Sequence, residues 1–314
     1  MNKQVLVLDS SQISTYLECP TKHNLQYVES ITWADEAAVR EDMAAGTYGH
    51  KLLELYYTAL ACGQSLETAV CRANKFHLED DFPLSQARRD LVADRFKIYW
   101  MTYQHQDIIP SLGVPIYRVD SLPEINQPYE FSGKINPMES IGMVEVWEPK
   151  PLVEQGFSYE VLNDRNYLFV LEGRIDMIGS LNGQLVWMDH KFQGRRHDLY
   201  KKSIQFRNYS LACNLTLGVI NYIRLHKEIT KDTLVRDIVS FNPRERELWR
   251  EELIELYKHI ASESEAPRRK NWGACAGKFG YPCEYTKICE ESDTNISNAI
   301  KETYYKKKEV WKPW

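Results

Sequence analysis

Apolar residues recur every three or four positions along the first third of the chain and every two in its middle, which predicts a helical half followed by a sheet. Ile13, Tyr16, Leu17, Leu25 and Tyr27 place a helix over 11–30, with Ser10 or Ser11 as its cap and a break at Cys19-Pro20. From Met43 to Tyr103 the same spacing continues through Leu52, Leu53, Leu55, Tyr56, Val70, Phe76, Leu91, Phe96, Ile98 and Trp100. A stretch dotted with Pro and Gly, 110–137, ends it. The period then shortens: 143–147, 167–178 and 184–191 are short, β-branched and aromatic, and Asn182-Gly183 marks a hairpin turn between the last two. Three antiparallel strands are expected there. Residues 204–217 read as a helix, 219–225 and 235–241 as strands, and 243–262 as a helix with Pro243 in its first turn.

Composition adds limits. With 314 residues, 43% of them hydrophobic and 12% aromatic, the chain can bury a substantial core, and it reads as one large domain over 1–295. Its helical part spans about 11–110, its sheet core about 140–242 and a helix with a cysteine cap 243–290, leaving 296–314 as a basic and aromatic tail. No apolar run approaches the roughly 18 residues a membrane span needs, and the start has neither the length nor the small-residue site of a signal peptide. A cytoplasmic protein without a membrane partner is expected. A net charge of −5 and a pI near 6.0 mean that any surface for a polyanion must be a local patch. Seven cysteines, an odd number in such a chain, argue against a disulfide framework and for thiol or metal chemistry.

The chemistry concentrates in Leu171-Glu172-Gly173-Arg174-Ile175-Asp176, followed thirteen residues later by Asp189-His190-Lys191. On a hairpin Asp176 and Asp189 fall on neighbouring strands, and Asp189 and Lys191 share a face. Two carboxylates and an ammonium suit phosphodiester cleavage, in which hard oxygen ligands hold Mg²⁺ or Mn²⁺ and the lysine orients water or offsets developing charge. Asp-x-Lys by itself reads equally as a cross-strand salt bridge on a solvated face. Upstream, Gly46-Thr47-Tyr48-Gly49-His50 opens a helix that lets the imidazole reach the same metal. Downstream, Gln205 and Tyr209 lie one turn apart on one helical face. Glu54 and Glu172 lie close to these motifs and are left out of the ligand set.

The ordered series Gly-x-x-x-His, Gly-x-x-Asp, Asp-x-Lys, Gln-x-x-x-Tyr resembles the motif set of the RecB-family nucleases of the PD-(D/E)xK type. These include nuclease domains of AddAB-type helicase–nucleases, CRISPR adaptation nucleases and phage recombination exonucleases. The resemblance covers about 11–290. It implies a mixed α/β, restriction-endonuclease-like core of about five strands, with a helical N-terminal insertion and a Cys-ligated C-terminal cap. It implies His50, Asp176 and Asp189 as ligands of Mg²⁺ or Mn²⁺ with the backbone carbonyl of His190 as a fourth, Lys191 as the catalytic lysine, and Gln205 and Tyr209 as contacts to DNA or supports of the site. The activity implied is that of a DNA exonuclease acting in end processing, recombination or repair. The alternative is a non-catalytic DNA-end-binding subunit with an iron–sulfur cluster. No Gly-rich phosphate loop is present, so a helicase or a single-strand annealing protein would be a separate partner.

Cys19 stands far from Cys275, Cys283 and Cys289, and four soft ligands fit either a [4Fe–4S] cluster or zinc. The cluster-bearing members of the family divide their cysteines the same way, one before the core and three after it, which implies the cluster here. The five residues between Cys283 and Cys289 match that pattern; the seven between Cys275 and Cys283, where two are familiar, depart from it. Cys62, Cys71 and Cys213 read as buried thiols on helical faces. Arg195, Arg196, Lys201 and Lys202, between the Asp-x-Lys strand and the following helix, are expected to hold DNA phosphates, and Tyr304 to Trp314 forms a basic and aromatic tail.

Overall fold

The computed structural model describes residues 3–34, 41–79, 82–105, 108–113, 150–194, 202–263, 269–276 and 282–308. The expected strand at 143–147, the residues Arg195, Arg196 and Lys201, and the end of the tail lie outside them. In chain order the elements are β1 (Gln4–Asp9), α1 (Ser10–Glu18), α2 (Pro20–His23), a π-helical turn (Asn24–Val28), β2 (Ile31–Trp33), α3 (Glu41–Ala61), α4 (Leu66–Glu79) and α5 (Gln86–Tyr103). Then come β3 (Ile109–Pro110), β4 (Leu112–Gly113), β5 (Lys150–Pro151), β6 (Val153–Asn163), β7 (Tyr167–Leu181), β8 (Gln184–Gln193), α6 (Ile204–Cys213), β9 (Leu217–Arg224) and β10 (Leu234–Ser240). The chain closes with α7 (Pro243–Ser262), α8 (Trp272–Cys275), α9 (Thr286–Glu290), α10 (Thr294–Tyr304) and β11 (Tyr305–Lys307).

Two compact units divide these elements: residues 40–160 with 172–251, and residues 1–39 with 161–171 and 252–313. The larger unit holds a mixed sheet in which β8 runs antiparallel to β7 and parallel to β9, and β10 pairs antiparallel with β9. The parallel step requires a crossover, supplied by α6. Between β7 and β8, Asn182 and Gly183 both take positive φ (52° and 79°), the mirror-image turn that a two-residue hairpin prefers. Helices α3, α4 and α5 bury Leu52, Leu53, Tyr56, Tyr57, Ala69, Ala73, Phe96 and Tyr99 against Met177, Met188 and Ile223 of the sheet. The chain is thus a mixed α/β protein with a central mixed sheet and helices, as expected.

Four local expectations are corrected. Asp9 caps α1, accepting from the N–H groups of Ser11 and Gln12 at 2.7 and 2.8 Å, in place of Ser10 or Ser11. The helix from Ile204 stops at Cys213, because Asn214 turns left-handed (φ 54°, ψ 32°) and releases the chain into β9. Strand β6 was not anticipated. Cys62, in the turn after α3, is exposed, and so is Cys71, because α4 turns Ala69, Val70, Ala73 and Phe76 to the core and Cys71 away from it.

In the smaller unit β1 lies beside β7, with Gln4 N–H donating to Asn166 C=O at 2.8 Å. Strands β2 and β11 pair antiparallel, and Leu25, Ile31, Tyr285, Ile288, Cys289 and Tyr305 form a core of their own.

Candidate active site

The hairpin brings the two acidic motifs together. Asp176 and Asp189 each adjoin the last paired residues of β7 and β8, Met177 and Met188, and Asp176 Oδ2 accepts the backbone N–H of His190 at 2.6 Å. Both carboxylates are buried, Asp189 completely. Burial pushes both acids up, Asp189 to about 6, with Lys191 opposing the rise at Asp189 and His50 opposing it at Asp176.

Helix α3 supplies His50, whose Nδ1 lies 3.3 Å from Asp176 Oδ2. Burial disfavours its charge, but Asp176 and Glu154 outweigh that and lift it to about 9. The close approach of α3 depends on Gly49, where an added Cβ would lie 2.6 Å from the Phe192 ring, while Gly46 faces open space. Gly49, not the glycine of the Gly-x-x-x-His spacing, is therefore the sterically required one. Gly173 is required likewise, since a Cβ there would sit 2.6 Å from Phe157.

Glu154, on β6, was missed by sequence reasoning. Its Oε1 lies 3.6 Å from His50 Nδ1, and one ligand atom from each of His50, Glu154 and Asp176 falls within 4.8 Å of the other two. Glu154 takes a left-handed backbone (φ 50°), a conformation costing of order 1–3 kcal/mol for a residue with a side chain. The amide of Gln155 braces that kink, donating to the carbonyls of Pro151 and Val153 at 3.2 and 2.8 Å. The signal available in the sequence was the alternation Val153, Phe157, Tyr159, Val161, interrupted at the kink.

Asp189 pairs with Lys191, Nζ lying 2.9 Å from Oδ1 and 2.7 Å from Oδ2. The ammonium also donates to Gln205 Oε1 at 3.1 Å; Gln205 Nε2 donates to Tyr209 OH at 2.7 Å, and that hydroxyl donates to the carbonyl of Arg174 at 2.7 Å. Burial holds the Tyr209 phenol well above its ordinary range, so it acts as a neutral donor. The ring of His190 points to the other side of β8, stacked on Tyr57 (5.7 Å, 15°), with Nδ1 2.9 Å from the Asn221 amide. Burial, reinforced by His50, Arg236 and Lys191, keeps that ring neutral. Glu172 accepts from Ser158 at 3.1 Å, and Lys51 pairs with Glu54 at 2.8 Å. Lys202 is exposed just before α6.

An imidazole and carboxylates within this span suit a small divalent cation, whose ligands at about 2.0–2.2 Å stand at most some 4.4 Å apart. The closeness of His50, Glu154 and Asp176 in the protein alone is the observation that fits.

In the smaller unit Cys19, Cys275, Cys283 and Cys289 converge closely enough for their thiols to act on one another electrostatically. Burial pushes Cys283 up and Cys289 to about 11. Cys283 N–H donates to the Cys275 carbonyl at 3.0 Å, so the longer spacer returns the chain to Cys275.

The sequence model of the PD-(D/E)XK nuclease superfamily matches residues 10–290. No curated protein matches the chain. Among solved structures, SSO0001 is similar at 18% identity, covering 45% of this chain and 61% of its own, with a TM-score of 0.29. The chain thus spans less than two thirds of that protein's length. A protein of Eubacterium rectale provisionally named an exonuclease is similar at 8% identity, covering 84% of each chain, with a TM-score of 0.42.

Proposed function

Because the chain belongs to the PD-(D/E)XK nuclease superfamily, we propose that it is a Mg²⁺- or Mn²⁺-dependent deoxyribonuclease, an exonuclease of the RecB type acting on DNA ends or single strands in the cytoplasm. The observation carrying this reading is the close group of His50, Glu154 and Asp176, with the Asp189–Lys191 pair on the neighbouring strand tied to it through the Asp176–His190 hydrogen bond. His50, Asp176, Asp189 and the backbone carbonyl of His190 hold the cation, and Glu154 joins them. When bound, the cation offsets charge on the phosphate and acidifies a water. Asp189 and Gln205 hold the Lys191 ammonium from two sides, fixing a positive charge where the water and the reacting phosphate meet. Tyr209 anchors Gln205 and ties α6 to the strand that carries Asp176. Arg195, Arg196, Lys201 and Lys202 engage the DNA backbone.

Cys19, Cys275, Cys283 and Cys289 hold a [4Fe–4S] cluster that staples the two ends of the chain, with zinc the alternative. The Cys283–Cys289 spacing and the convergence of the four thiols support the cluster.

The test is incubation of 5′- and 3′-labelled single- and double-stranded DNA with Mg²⁺ or Mn²⁺. Stepwise shortening from one end, stopped by EDTA, is expected. Intact DNA of both forms with both metals contradicts the reading.

A further inference from the structure

Glu154 has a second neighbour. Its Oε2 lies 3.0 Å from Nε of Arg174, while its Oε1 faces His50. Arg174 precedes Asp176 by two positions on β7 and so projects from the same face. It is the one exposed position between Leu168 and Gly179, its side chain 44% exposed in a strand otherwise buried there. Among the described residues, Glu154 is its ion-pair partner. An arginine paired through Nε still presents the outer edge of its guanidinium.

The electrostatics of the site leave a gap that this residue fills. Glu154, Asp176 and Asp189 are three carboxylates; Asp189 takes up the ammonium of Lys191, and Asp176 and Glu154 flank the imidazole of His50, a cation ligand in the reading above. The chain carries a net charge of −5, so a polyanion meets no general attraction. A fixed cation at the edge of the acidic group answers that need, and a planar fork suits phosphate oxygens better than a lysine's point charge. The kinked backbone at Glu154, braced by Gln155, aims one carboxylate at both His50 and Arg174.

We propose that Arg174 is a phosphate-binding residue of the site, holding a backbone phosphate of the nucleic acid beside the His50–Asp176 group, with Glu154 as its positioning residue. This inference rests on the nucleic-acid reading above.

The test measures binding of a fluorescent single-stranded oligonucleotide in EDTA, across a range of salt, for the wild type, Arg174→Gln, Arg174→Lys, Glu154→Ala and Glu154→Gln. Mn²⁺ affinity and the thermal midpoint are measured on the same proteins. Arg174→Gln is expected to weaken binding roughly tenfold and to flatten the salt slope by about 0.7, one phosphate contact on a single strand. Arg174→Lys keeps the slope and recovers part of the affinity. Glu154→Ala weakens binding as Arg174→Gln does, and Glu154→Gln, which keeps an acceptor for Nε, restores most of it. Arg174→Gln retains Mn²⁺ affinity and thermal midpoint. Unchanged affinity and slope in Arg174→Gln, or parallel loss of Mn²⁺ affinity and thermal midpoint, overturns the proposal and leaves the nuclease reading standing. A wild type that binds no oligonucleotide overturns both.

Discussion

Asp176 Oδ2 accepts the backbone N–H of His190 at 2.6 Å and lies 3.3 Å from His50 Nδ1, so one carboxylate oxygen ties strands β7 and β8 to helix α3. The bond fixes which way the acid points before any ligand arrives. A group that must hold a cation is thereby oriented by the strand that carries Asp189 and Lys191.

Asp176→Ala removes both the proposed ligand and the partner of a protonated His50. Cleavage should fall by at least about a thousandfold and Mn²⁺ affinity by about tenfold or more. Rate assays and calorimetric titration check this; near-wild-type cleavage would displace the site from β7.

The titration of His50 sets a pH dependence. Its value of about 9, against an ordinary 6.5, means that below pH 9 a cation must expel a proton to use the imidazole. Apparent Mn²⁺ affinity should therefore rise about tenfold per pH unit between pH 6 and 9 and level off above, with a steeper rise below pH 6 where Asp189 also holds a proton. Without a cation, the stabilisation from the His50 pairing is fully present below pH 6.5 and is lost as the pH rises through about 9. Calorimetry in buffers of differing ionisation enthalpy reads the released proton, and a pH-independent affinity would contradict the assignment.

Lys191 is held from two sides, and the two sides can be cut separately. Gln205→Ala frees the ammonium from α6 and should lower kcat roughly 10- to 100-fold with little effect on Mn²⁺ binding. Tyr209→Phe loses the bond to the Arg174 carbonyl and should cost about 1 kcal/mol in urea unfolding. If Gln205→Ala leaves kcat unchanged, the relay is structural only.

Much of this site is legible in the chain. The two-residue period, the Asn-Gly turn and the spacing of Asp176, Asp189 and Lys191 are local signals, and local signals survive the step from sequence to fold. Glu154 is not legible in that way. Its strand is broken by a left-handed residue, and its partners His50, Asp176 and Arg174 come from other segments. The need for glycine at 49 likewise arises from Phe192, far along the chain, whereas the glycine of the motif spacing, Gly46, meets nothing. The exposure of Cys71 shows the same limit, since a helix's buried face depends on which neighbour it meets.

The cysteine proposal separates from the nuclease site experimentally. Anaerobically purified protein should be brown and carry about four irons and four inorganic sulfides per chain. Cys19→Ser should lose them and open both ends of the chain to protease, while exposed Cys62 and Cys71 can be replaced without loss of colour. A colourless protein with one zinc would overturn the cluster.

Whether these residues form a metal-dependent catalytic site is decided by Lys191→Ala, with Mn²⁺ titration and DNA cleavage measured on the same preparation. Lys191 neutralises Asp189 without belonging to the His50–Glu154–Asp176 group. Mn²⁺ affinity should be retained or raised, with cleavage reduced at least about a hundredfold. Cleavage at the wild-type rate, or loss of both properties together, would contradict it.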